Sequence, residues 1–313
     1  MTRPDNPLPV DETDGRVRHY AEFYGVTQPA SGMADAGAPL AVVLGNCQAE
    51  ALRVLLDASP QLRTVRVPPV FELDDADVHH LDLLLQRADV LVAQPVKDGY
   101  RGLPLGTQEV LARHPRLRLL AIPVCFYAGL YPWQVLVRTP ESGDPPGVPY
   151  HDLRTLLEAA GSRPRDVMPA DAIRAVARES VAELRRRESV AGTVVVSDLL
   201  EPAGADACHV VNHPGNTLLL GLARRVQEAL GLPVEARDPG RTLLPELYAP
   251  LDERVVAALD LDAEPRVDWR LRGEVLPDAE VREVQLAWLR EHPEIVELGL
   301  TRHARTIEAM GWR

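Results

Sequence analysis

Short apolar segments alternate with helical patterns between residues 40 and 124, and this alternation limits the possible folds more than any other feature. The candidate strands are 40–45, 64–71, 89–94, 117–124 and, farther along the chain, 193–197. The first three are each followed by a stretch with apolar residues at helical spacing. Strands and helices that alternate through short connections are typical of a parallel sheet. We therefore predict an α/β fold, a three-layer sandwich with a mostly parallel sheet and helices on both faces.

The pattern also divides the chain into three parts. Residues 1–37 are polar and contain several prolines, so we predict an N-terminal tail without fixed structure, apart from one short helix near Val17–Tyr24. Residues 38–231 carry the alternation and form the predicted α/β core. Residues 232–313 have a helical pattern interrupted by prolines. We predict that they form a helical C-terminal cap of the same domain.

Composition and charge exclude several classes of protein. The formal net charge is −12, and no basic run of the length that a nucleic-acid-binding protein needs is present. The three cysteines are far apart and odd in number, which indicates a reducing cytoplasm and not a disulfide framework. Residues 119–137 are uncharged, but Pro123, Gly129 and Pro132 interrupt them. We therefore expect a buried strand that runs into a loop there, and no membrane span.

One of the cysteines stands at a strand-to-helix turn. The first apolar run stops at Gly45, and a helical pattern begins at Cys47. Open parallel sheets bind ligands at the carboxyl ends of their strands, and a helix N-terminus favours a thiolate. Gly45 permits a tight turn, and the N–H groups around Asn46, Cys47 and Gln48 suit a developing oxyanion. The alternative is that Cys47 is only a small buried apolar residue.

A polar segment follows the third predicted strand at the same edge of the sheet. It contains Gln94, Lys97, Tyr100 and Arg101, and Lys97 is the single lysine in the chain. These residue types suit the binding of an anionic ligand. An ordinary polar surface loop is the alternative interpretation.

An aromatic segment, CFYAGLYPWQ, follows the fourth predicted strand. Aromatic side chains line ligand pockets and also fill hydrophobic cores. We expect Phe126 to lie in the core, and we expect Tyr131 and Trp133 to lie at the rim of a pocket.

The segment VVNHPGN places His213 on a rigid loop just before a helix. A histidine near a thiol acts as a general base, whereas an ordinary loop histidine is the simpler alternative. Cys208, His209 and His213 also raise the question of a metal site. Pro214 and Gly215 disfavour the helix that would align the two imidazoles, and no CxxC or HExxH pattern is present. We expect no metal.

Five separated motifs together resemble one known family. LGNCQAEAL, QPVKDGYRGLPLGT, FYAGLYP, PYHDL and NHPGNTLLLGLA occur in the order found in the WcbI-like family of polysaccharide-biosynthesis acetyltransferases, between about residues 40 and 250. The resemblance implies acyl transfer from CoA or acetyl-CoA to a sugar, a glycan precursor or another small acceptor. It implies a catalytic pair of Cys47 and His213, with Asn216 near the substrate. Side chains that would meet CoA are then Lys97, Tyr100, Arg101, Tyr131, Trp133 and Arg138.

The family also resembles the SGNH (GDSL-type) hydrolases distantly. In those enzymes a G-D-S turn supplies the nucleophile and a D-x-x-H-P block supplies the base. Gly45, Asn46 and Cys47 stand at the first motif, and His213 and Pro214 match the second. Val210 replaces the aspartate expected three residues before the histidine, so Asp198, Asp206 and Asn212 remain candidates for the third member. Gln94 is a candidate donor to the oxyanion.

These observations lead to one prediction of function and two alternatives. We predict a cytoplasmic CoA-dependent acyltransferase with residues 38–231 as its catalytic core. An SGNH-like thioesterase or esterase, in which water replaces the acceptor, is the first alternative. A non-catalytic protein that binds CoA or a glycan, with a merely structural Cys47, is the second. The identity of the acceptor, the acyl chain and the oligomeric state stay open.

Overall fold

The computed structural model describes residues 8–27 and 37–312, which form two compact units. The first unit contains the described residues up to Cys125, together with Arg185–Leu199 and Asn216–Leu243. The second contains Phe126–Leu184, Leu200–Gly215 and the described residues from Leu244 onward. The boundary predicted after residue 231 therefore falls inside the first unit.

The helices and strands follow one another in chain order. Those before Cys125 are α1 Gly15–His19, β1 Leu40–Leu44, α2 Cys47–Leu56, β2 Arg63–Val65, α3 Asp75–Arg87, β3 Val90–Ala93, α4 Thr107–Arg113 and β4 Arg118–Ala121. Those between Cys125 and Leu243 are β5 Gln134–Val135, β6 His151–Asp152, α5 Leu153–Ala159, α6 Ala170–Ala191, β7 Cys208–Val210, β8 His213–Pro214 and α7 Asn216–Leu230. Those after Leu243 are β9 Leu247–Tyr248, α8 Glu253–Leu259, β10 Trp269–Leu271, β11 Glu274–Leu276, α9 Asp278–Glu291, α10 Pro293–Arg302 and α11 Ala304–Ala309.

The main sheet of the first unit is parallel, as the alternation predicted. Its strand order is β2-β1-β3-β4, and all three strand pairs are parallel. Every residue of β1 and β3 is buried, which is typical of central strands covered on both faces. Helix α2 packs against α7 within this unit. A mixed α/β fold with a four-stranded parallel sheet is thus confirmed.

The predicted fifth strand, 193–197, is wrong. Only one backbone bond links this stretch to the edge strand, from Val194 N–H to the carbonyl of Ala121. The Glu188 carboxylate then accepts the N–H groups of Val196 and Ser197 and the Ser197 hydroxyl, and a 3₁₀ turn begins at Ser197. A buried side chain therefore satisfies the groups that a neighbouring strand would have bonded.

The short helix predicted in the N-terminal tail near Val17–Tyr24 corresponds to α1, Gly15–His19, but this part of the chain is packed more firmly than a tail would be. Helix α1 begins after Asp14, whose side chain accepts the N–H groups of the first turn. Val17, Phe23 and Tyr24 are buried in the core of the first unit. The Tyr24 hydroxyl donates a hydrogen bond of 2.8 Å to the carboxylate of Asp77. Residues 1–7 and 28–36 of the predicted tail lie outside the described residues.

The last part of the chain is not all helical, which corrects the prediction of a helical cap. β9, β10 and β11 form an antiparallel sheet in the order β11-β10-β9. Arg272 and Gly273 connect β10 to β11, with φ angles of 52° and 89°. Positive φ at both positions is the type I′ hairpin turn, for which Asn-Gly is the usual sequence signal. An Arg-Gly pair lacks that signal, so the sequence gives no local indication of this hairpin.

Candidate functional site

The turn between β1 and α2 is tightly constrained around Cys47. A Cβ atom at position 45 would collide with the side-chain amide of Gln94, so glycine at this position allows that amide to approach the turn. Asn46 is the N-cap of α2, and its side chain accepts the N–H of Gln48 at 2.9 Å. Cys47 is the first residue of the helix and is half-buried. The backbone thus presents the thiol at the carboxyl end of β1, as predicted.

Gln94, at the end of β3, holds this turn in place. Its side chain is 3% exposed. Its Oε1 accepts the N–H of Asn46 at 2.9 Å, and its Nε2 donates to Gln48 Oε1 and to the carbonyl of Pro123, each at 3.3 Å. Both ends of the amide are therefore used within the first unit. The role of Gln94 as an oxyanion donor stays a prediction, whereas its contact with the turn is visible.

Gln48 connects the same turn to the segment after β4. Its side chain is buried and bonds both backbone groups of Cys125, donating to the carbonyl at 2.8 Å and accepting the N–H at 2.9 Å. Burial raises the pKa of the Cys125 thiol to about 12, and the nearby carboxylate of Glu188 adds to this shift. Cys125 and Cys208 are buried, so Cys47 is the one cysteine with an exposed portion.

The loop after β3 carries the two predicted cations in exposed positions. The side chains of Lys97 and Arg101 make no hydrogen bond or ion pair with any residue that the structure describes. Glu109 stabilises the loop, because its carboxylate accepts the N–H groups of Gly99 and Gly106 at 3.0 and 2.9 Å. Sequence reasoning missed Glu109. Its position three residues after Gly106, at the start of a helix, is the capping-box spacing that could have revealed it.

In the second unit, His213 lies on β8, which pairs with β7. Burial, with a smaller contribution from the neighbouring His209, lowers the pKa of His213 to about 4. The imidazole is therefore neutral at pH 7 and able to accept a proton. The His209 ring lies 4.5 Å from the ring of Tyr248, and the N–H of Ala249 bonds the carbonyl of His209.

The three candidates for the third member of a triad have different surroundings. Asp198 binds Arg225 through both carboxylate oxygens, at 2.6 and 2.7 Å, and this contact lowers the pKa of its carboxyl. Asn212 accepts the hydroxyl of Tyr150 through its side-chain oxygen at 2.5 Å. Asp206 ends a 3₁₀ turn, and a Cβ at Gly215 would collide with its carboxylate. Asp206 is thus the candidate whose carboxylate lies against the segment that carries His213.

The burial of the aromatic residues in the segment after β4 differs from the prediction. Tyr131 and Trp133 are 1% and 3% exposed, so they belong to the core of the second unit and not to a pocket rim. The Tyr131 hydroxyl donates to the carbonyl of Cys208. Phe126 was predicted to lie in the core, but it is only half-buried. The aromatic segment shows no helical or alternating period, so sequence alone could not rank its burial.

Two further predicted residues already have partners. Arg138 is exposed and forms an ion pair of 2.6 Å with Asp144. Asn216 begins α7, and its side-chain amide bonds the carbonyl of Arg241 and the N–H of Leu243. Tyr100 is half-buried and packs against the core of the first unit. The contacts with substrate that we predicted for these residues stay predictions.

Cys47 belongs to the first unit and His213 to the second, so their pairing also stays a prediction. Within residues 8–27 and 37–312, no three His, Cys, Asp or Glu side chains are grouped so that they could hold a metal ion. No helix in the same residues has the length and apolar character of a membrane span.

The fold and the turn together define a class of protein. It is an α/β protein with a parallel sheet and a partly exposed cysteine at the point where the first strand ends and a helix begins. The family model of WcbI, described as a polysaccharide biosynthesis enzyme, matches residues 40–235. The chain therefore belongs to the WcbI family of polysaccharide biosynthesis enzymes.

A solved structure of WcbI is similar in fold, with a TM-score of 0.73 and 18% sequence identity. The match covers 87% of this chain and 98% of that one. That structure is described as a novel polysaccharide biosynthesis enzyme, in the native form without a disulfide bond between CoA and one of its cysteines. A comparison with curated proteins gave no match.

Proposed function

We propose that the protein transfers an acyl group from CoA to a hydroxyl or amine of a sugar, a glycan precursor or another small acceptor. The observation that carries the proposal is the position of Cys47, half-buried at the first residue of a ten-residue helix where β1 ends. A helix N-terminus stabilises a thiolate by its dipole and its exposed N–H groups. Ligands of open parallel sheets bind beyond this end of the strands.

The CoA part of the proposal draws on the related protein. The WcbI structure is described as a native protein without a disulfide bond between CoA and a cysteine, wording that associates CoA with a cysteine of that protein. A cysteine that can bond to the thiol of CoA lies next to the sulfur that carries an acyl group. We assign the corresponding role to Cys47, because Cys125 and Cys208 are buried.

The proposed chemistry has two steps. The Cys47 thiolate attacks the thioester carbonyl of acyl-CoA, the C–S bond to CoA breaks, and CoA leaves as a thiolate that takes up a proton. The acceptor hydroxyl then attacks the acyl-cysteine, and its proton passes to His213 as the acyl group leaves Cys47. A neutral imidazole is required for that proton transfer, and burial keeps His213 neutral at pH 7 by lowering its pKa to about 4. A carboxylate beside the ring would raise this pKa toward the range in which a general base works best.

The third residue of the site is proposed from its surroundings. Asp198 and Asn212 are held by Arg225 and Tyr150, whereas the carboxylate of Asp206 lies against Gly215, two residues after His213. We assign Asp206 the task of orienting the imidazole. The arrangement would then resemble an SGNH hydrolase in its roles, with cysteine in place of serine and the acid moved along the chain.

Lys97 and Arg101 are the proposed contacts for the phosphates of CoA. Both are exposed without an ion pair among the described residues, so binding an anion requires no existing pair to break. Arg138 would have to leave Asp144 first, and we rank its contribution lower.

Turnover of acetyl-CoA by the full chain, with and without sugar acceptors, tests the proposal. Cys47→Ser should lose turnover by about 10²- to 10⁴-fold and should still bind CoA, because only the reacting group changes. Cys208→Ser is the matched control at a buried cysteine and should retain turnover. Consumption of acetyl-CoA at the same rate without any acceptor would indicate a thioesterase instead. A Cys47→Ser variant with full turnover would leave Cys47 with a structural role.

A further inference from the structure

An open cleft in the second unit is lined by an unusual set of charges. It has a volume of about 690 Å³ and lies beside the β9–β10–β11 sheet, with Arg266, Arg270, Arg272, Glu246 and Tyr248 in its lining. Three arginines face one glutamate in a chain whose net charge is −12. None of the roles proposed above was assigned to this cleft, and none of the sequence motifs pointed to it.

Two of these arginines make no ion pair with any described residue. The side chains of Arg270 and Arg272 are exposed and have no hydrogen-bond partner within residues 8–27 and 37–312. Other arginines of this acidic chain do have carboxylate partners. Arg154 binds Asp152 and Arg254 binds Asp252, with N–O distances of 2.5 and 2.7 Å. Two unpaired guanidinium groups on one cleft leave positive charge available for an external anion.

The backbone at Arg272 is a second, independent observation. Its φ of 52° lies in the left-handed region, which glycine and asparagine adopt far more readily than arginine. The type I′ turn would be more stable with asparagine at this position. Non-glycine residues held in this region cluster at sites of function. The turn places an arginine at the cleft in spite of the strain.

One side of the cleft is formed by Arg266 and Tyr248, whose positions are fixed by contacts that continue to His209, the neighbour of His213. Arg266 donates from Nε and Nη2 to the carbonyl of Ala249, at 2.8 and 2.6 Å, and its guanidinium lies 5.6 Å from the ring centre of Tyr248. The same tyrosine ring lies 4.5 Å from the ring of His209. His209 neighbours His213 closely enough to influence its protonation. All five residues belong to the second unit.

We propose that this cleft binds the phosphate groups of an organic phosphate, with Arg270 and Arg272 as the phosphate ligands and Arg266 and Tyr248 as the fixed wall. Guanidinium groups match phosphate oxygens in geometry and form charge-assisted hydrogen bonds with them. Two sources have this chemistry: CoA itself, and an acceptor sugar activated as a nucleoside diphosphate. The proposal goes beyond the proposed function, because binding in the cleft requires no acyl transfer.

Calorimetry with inorganic pyrophosphate on the full chain tests the cleft directly. The wild type should bind pyrophosphate, and Arg270→Gln with Arg272→Asn should weaken that binding at least tenfold. Asparagine suits the left-handed turn, so the melting temperature of this variant should be unchanged or higher. Arg290→Gln with Arg305→Gln is the matched control, because both arginines are exposed on helices of the same unit and the net charge changes equally.

In this experiment, the absence of pyrophosphate binding by the wild type would overturn the proposal. So would an equal loss in the control, which would indicate a general charge effect. Titration with CoA and with UDP-glucose then identifies the source. Loss of affinity for CoA alone assigns the cleft to the acyl donor, loss for UDP-glucose alone assigns it to an activated sugar, and loss for both indicates a general diphosphate site. A double variant that binds both organic phosphates normally would contradict the proposal.

The single acid of the cleft offers a test with the opposite sign. Glu246 repels a bound phosphate, so Glu246→Gln should tighten pyrophosphate binding severalfold. Unchanged or weaker binding by this variant would count against phosphate in the cleft. Because none of these titrations measures turnover, an inactive acyl-transfer assay would leave the result for the cleft intact.

Discussion

The turn Gly45–Gln48 and the segment that ends at Cys125 follow two strands of the same parallel sheet, yet their cysteines have opposite surroundings. Cys47 begins a helix and is half-buried, whereas the Cys125 thiol is buried, with a pKa raised to about 12. The side chain of Gln48 joins the two segments by bonding both backbone groups of Cys125. Position at a strand end is therefore not sufficient for a thiolate, because burial suppresses ionisation of the Cys125 thiol. Partial exposure and a helix N-terminus, which favour a thiolate, distinguish Cys47 from it.

The largest expected effect is the difference in alkylation between these two thiols. At pH 8 a thiol with a pKa of about 12 is a thiolate in about one molecule in 10⁴, whereas an ordinary thiol is a thiolate in about a quarter. Iodoacetamide should therefore modify Cys47 more than about 10³-fold faster than Cys125 in the native protein. Peptide mass spectrometry over a time course measures both rates.

CoA should slow the modification of Cys47 if the two share a site, and Cys47→Ser should abolish the fast phase. Equal rates at the two cysteines would break the comparison, because they would show that burial does not control either thiol.

Removing the amide that holds the Cys47 turn should have the next largest effect. Gln94→Met keeps the volume but leaves the N–H of Asn46 without its buried acceptor, which should cost about 1–3 kcal/mol of stability. Misplacement of the turn should lower acetyl-CoA turnover by about 10- to 10²-fold, since small displacements of reacting groups are costly. Chemical denaturation and steady-state kinetics measure the two effects.

Gln227→Met is the matched control for that variant. Gln227 is fully buried in the first unit, and its side-chain oxygen accepts the N–H groups of Glu235 and Ala236. Its loss should cost similar stability and leave turnover intact. Equal losses of turnover in both variants would show that Gln94 acts only through general stability.

The exposed cations of the loop after β3 should contribute a smaller effect, on binding alone. Lys97→Ala with Arg101→Ala should weaken CoA binding at least tenfold, because each charge-assisted contact contributes roughly 1.5–3 kcal/mol. Arg87→Ala with Arg116→Ala, at two exposed arginines of the same unit, makes the same change in net charge and should leave the affinity unaltered. Calorimetry with CoA measures the two affinities. If both double variants bind CoA equally well, the phosphates of CoA do not contact Lys97 and Arg101.

Burial disfavours the charged form of histidines, as it does for the Cys125 thiol. The resulting change in melting temperature with pH is the smallest effect that we expect. Burial lowers the pKa of His151, His213 and His303 to about 4, from an unfolded value near 6.5. The unfolded chain then binds more protons between these values, so stability is complete above pH 6.5 and falls as the pH drops toward 4. The melting temperature should fall over that window.

His151→Gln should flatten this pH dependence, because one of the three groups no longer titrates. His19→Gln, at an exposed histidine, should leave the slope unchanged. A melting temperature that is constant from pH 6.5 to 4 would contradict the burial argument for all three residues.

Much of the first unit could be predicted because local patterns and tertiary structure agree there. The apolar runs at β1 and β3 each specify a fully buried strand, and the leucine spacing of α2 and α3 specifies one buried face of each helix. The prediction of a fifth strand was wrong because the carboxylate of a buried residue, Glu188, accepts the N–H groups of Val196 and Ser197. No propensity scale contains such a long-range partner.

The candidate site was predictable in part for the same reason. A glycine, an N-cap and a cysteine in a row at a strand end predict the turn at Cys47, because each of these residues acts locally. The order of burial among Phe126, Tyr131 and Trp133 was not predictable. Their segment has no regular period, so the packing of distant residues decides which ring is covered.

By itself, then, the sequence determined the parallel sheet, the helix after Cys47 and membership in a family with several ordered motifs, since these depend on periodicity and on contacts between neighbours. Only the tertiary structure decided that Gln94 and Gln48 hold the turn, that the Cys125 thiol is suppressed, and that three arginines line one cleft. The physical reason is that hydrogen bonds, desolvation and charge clusters depend on groups brought together from distant positions, and no local pattern specifies those distances.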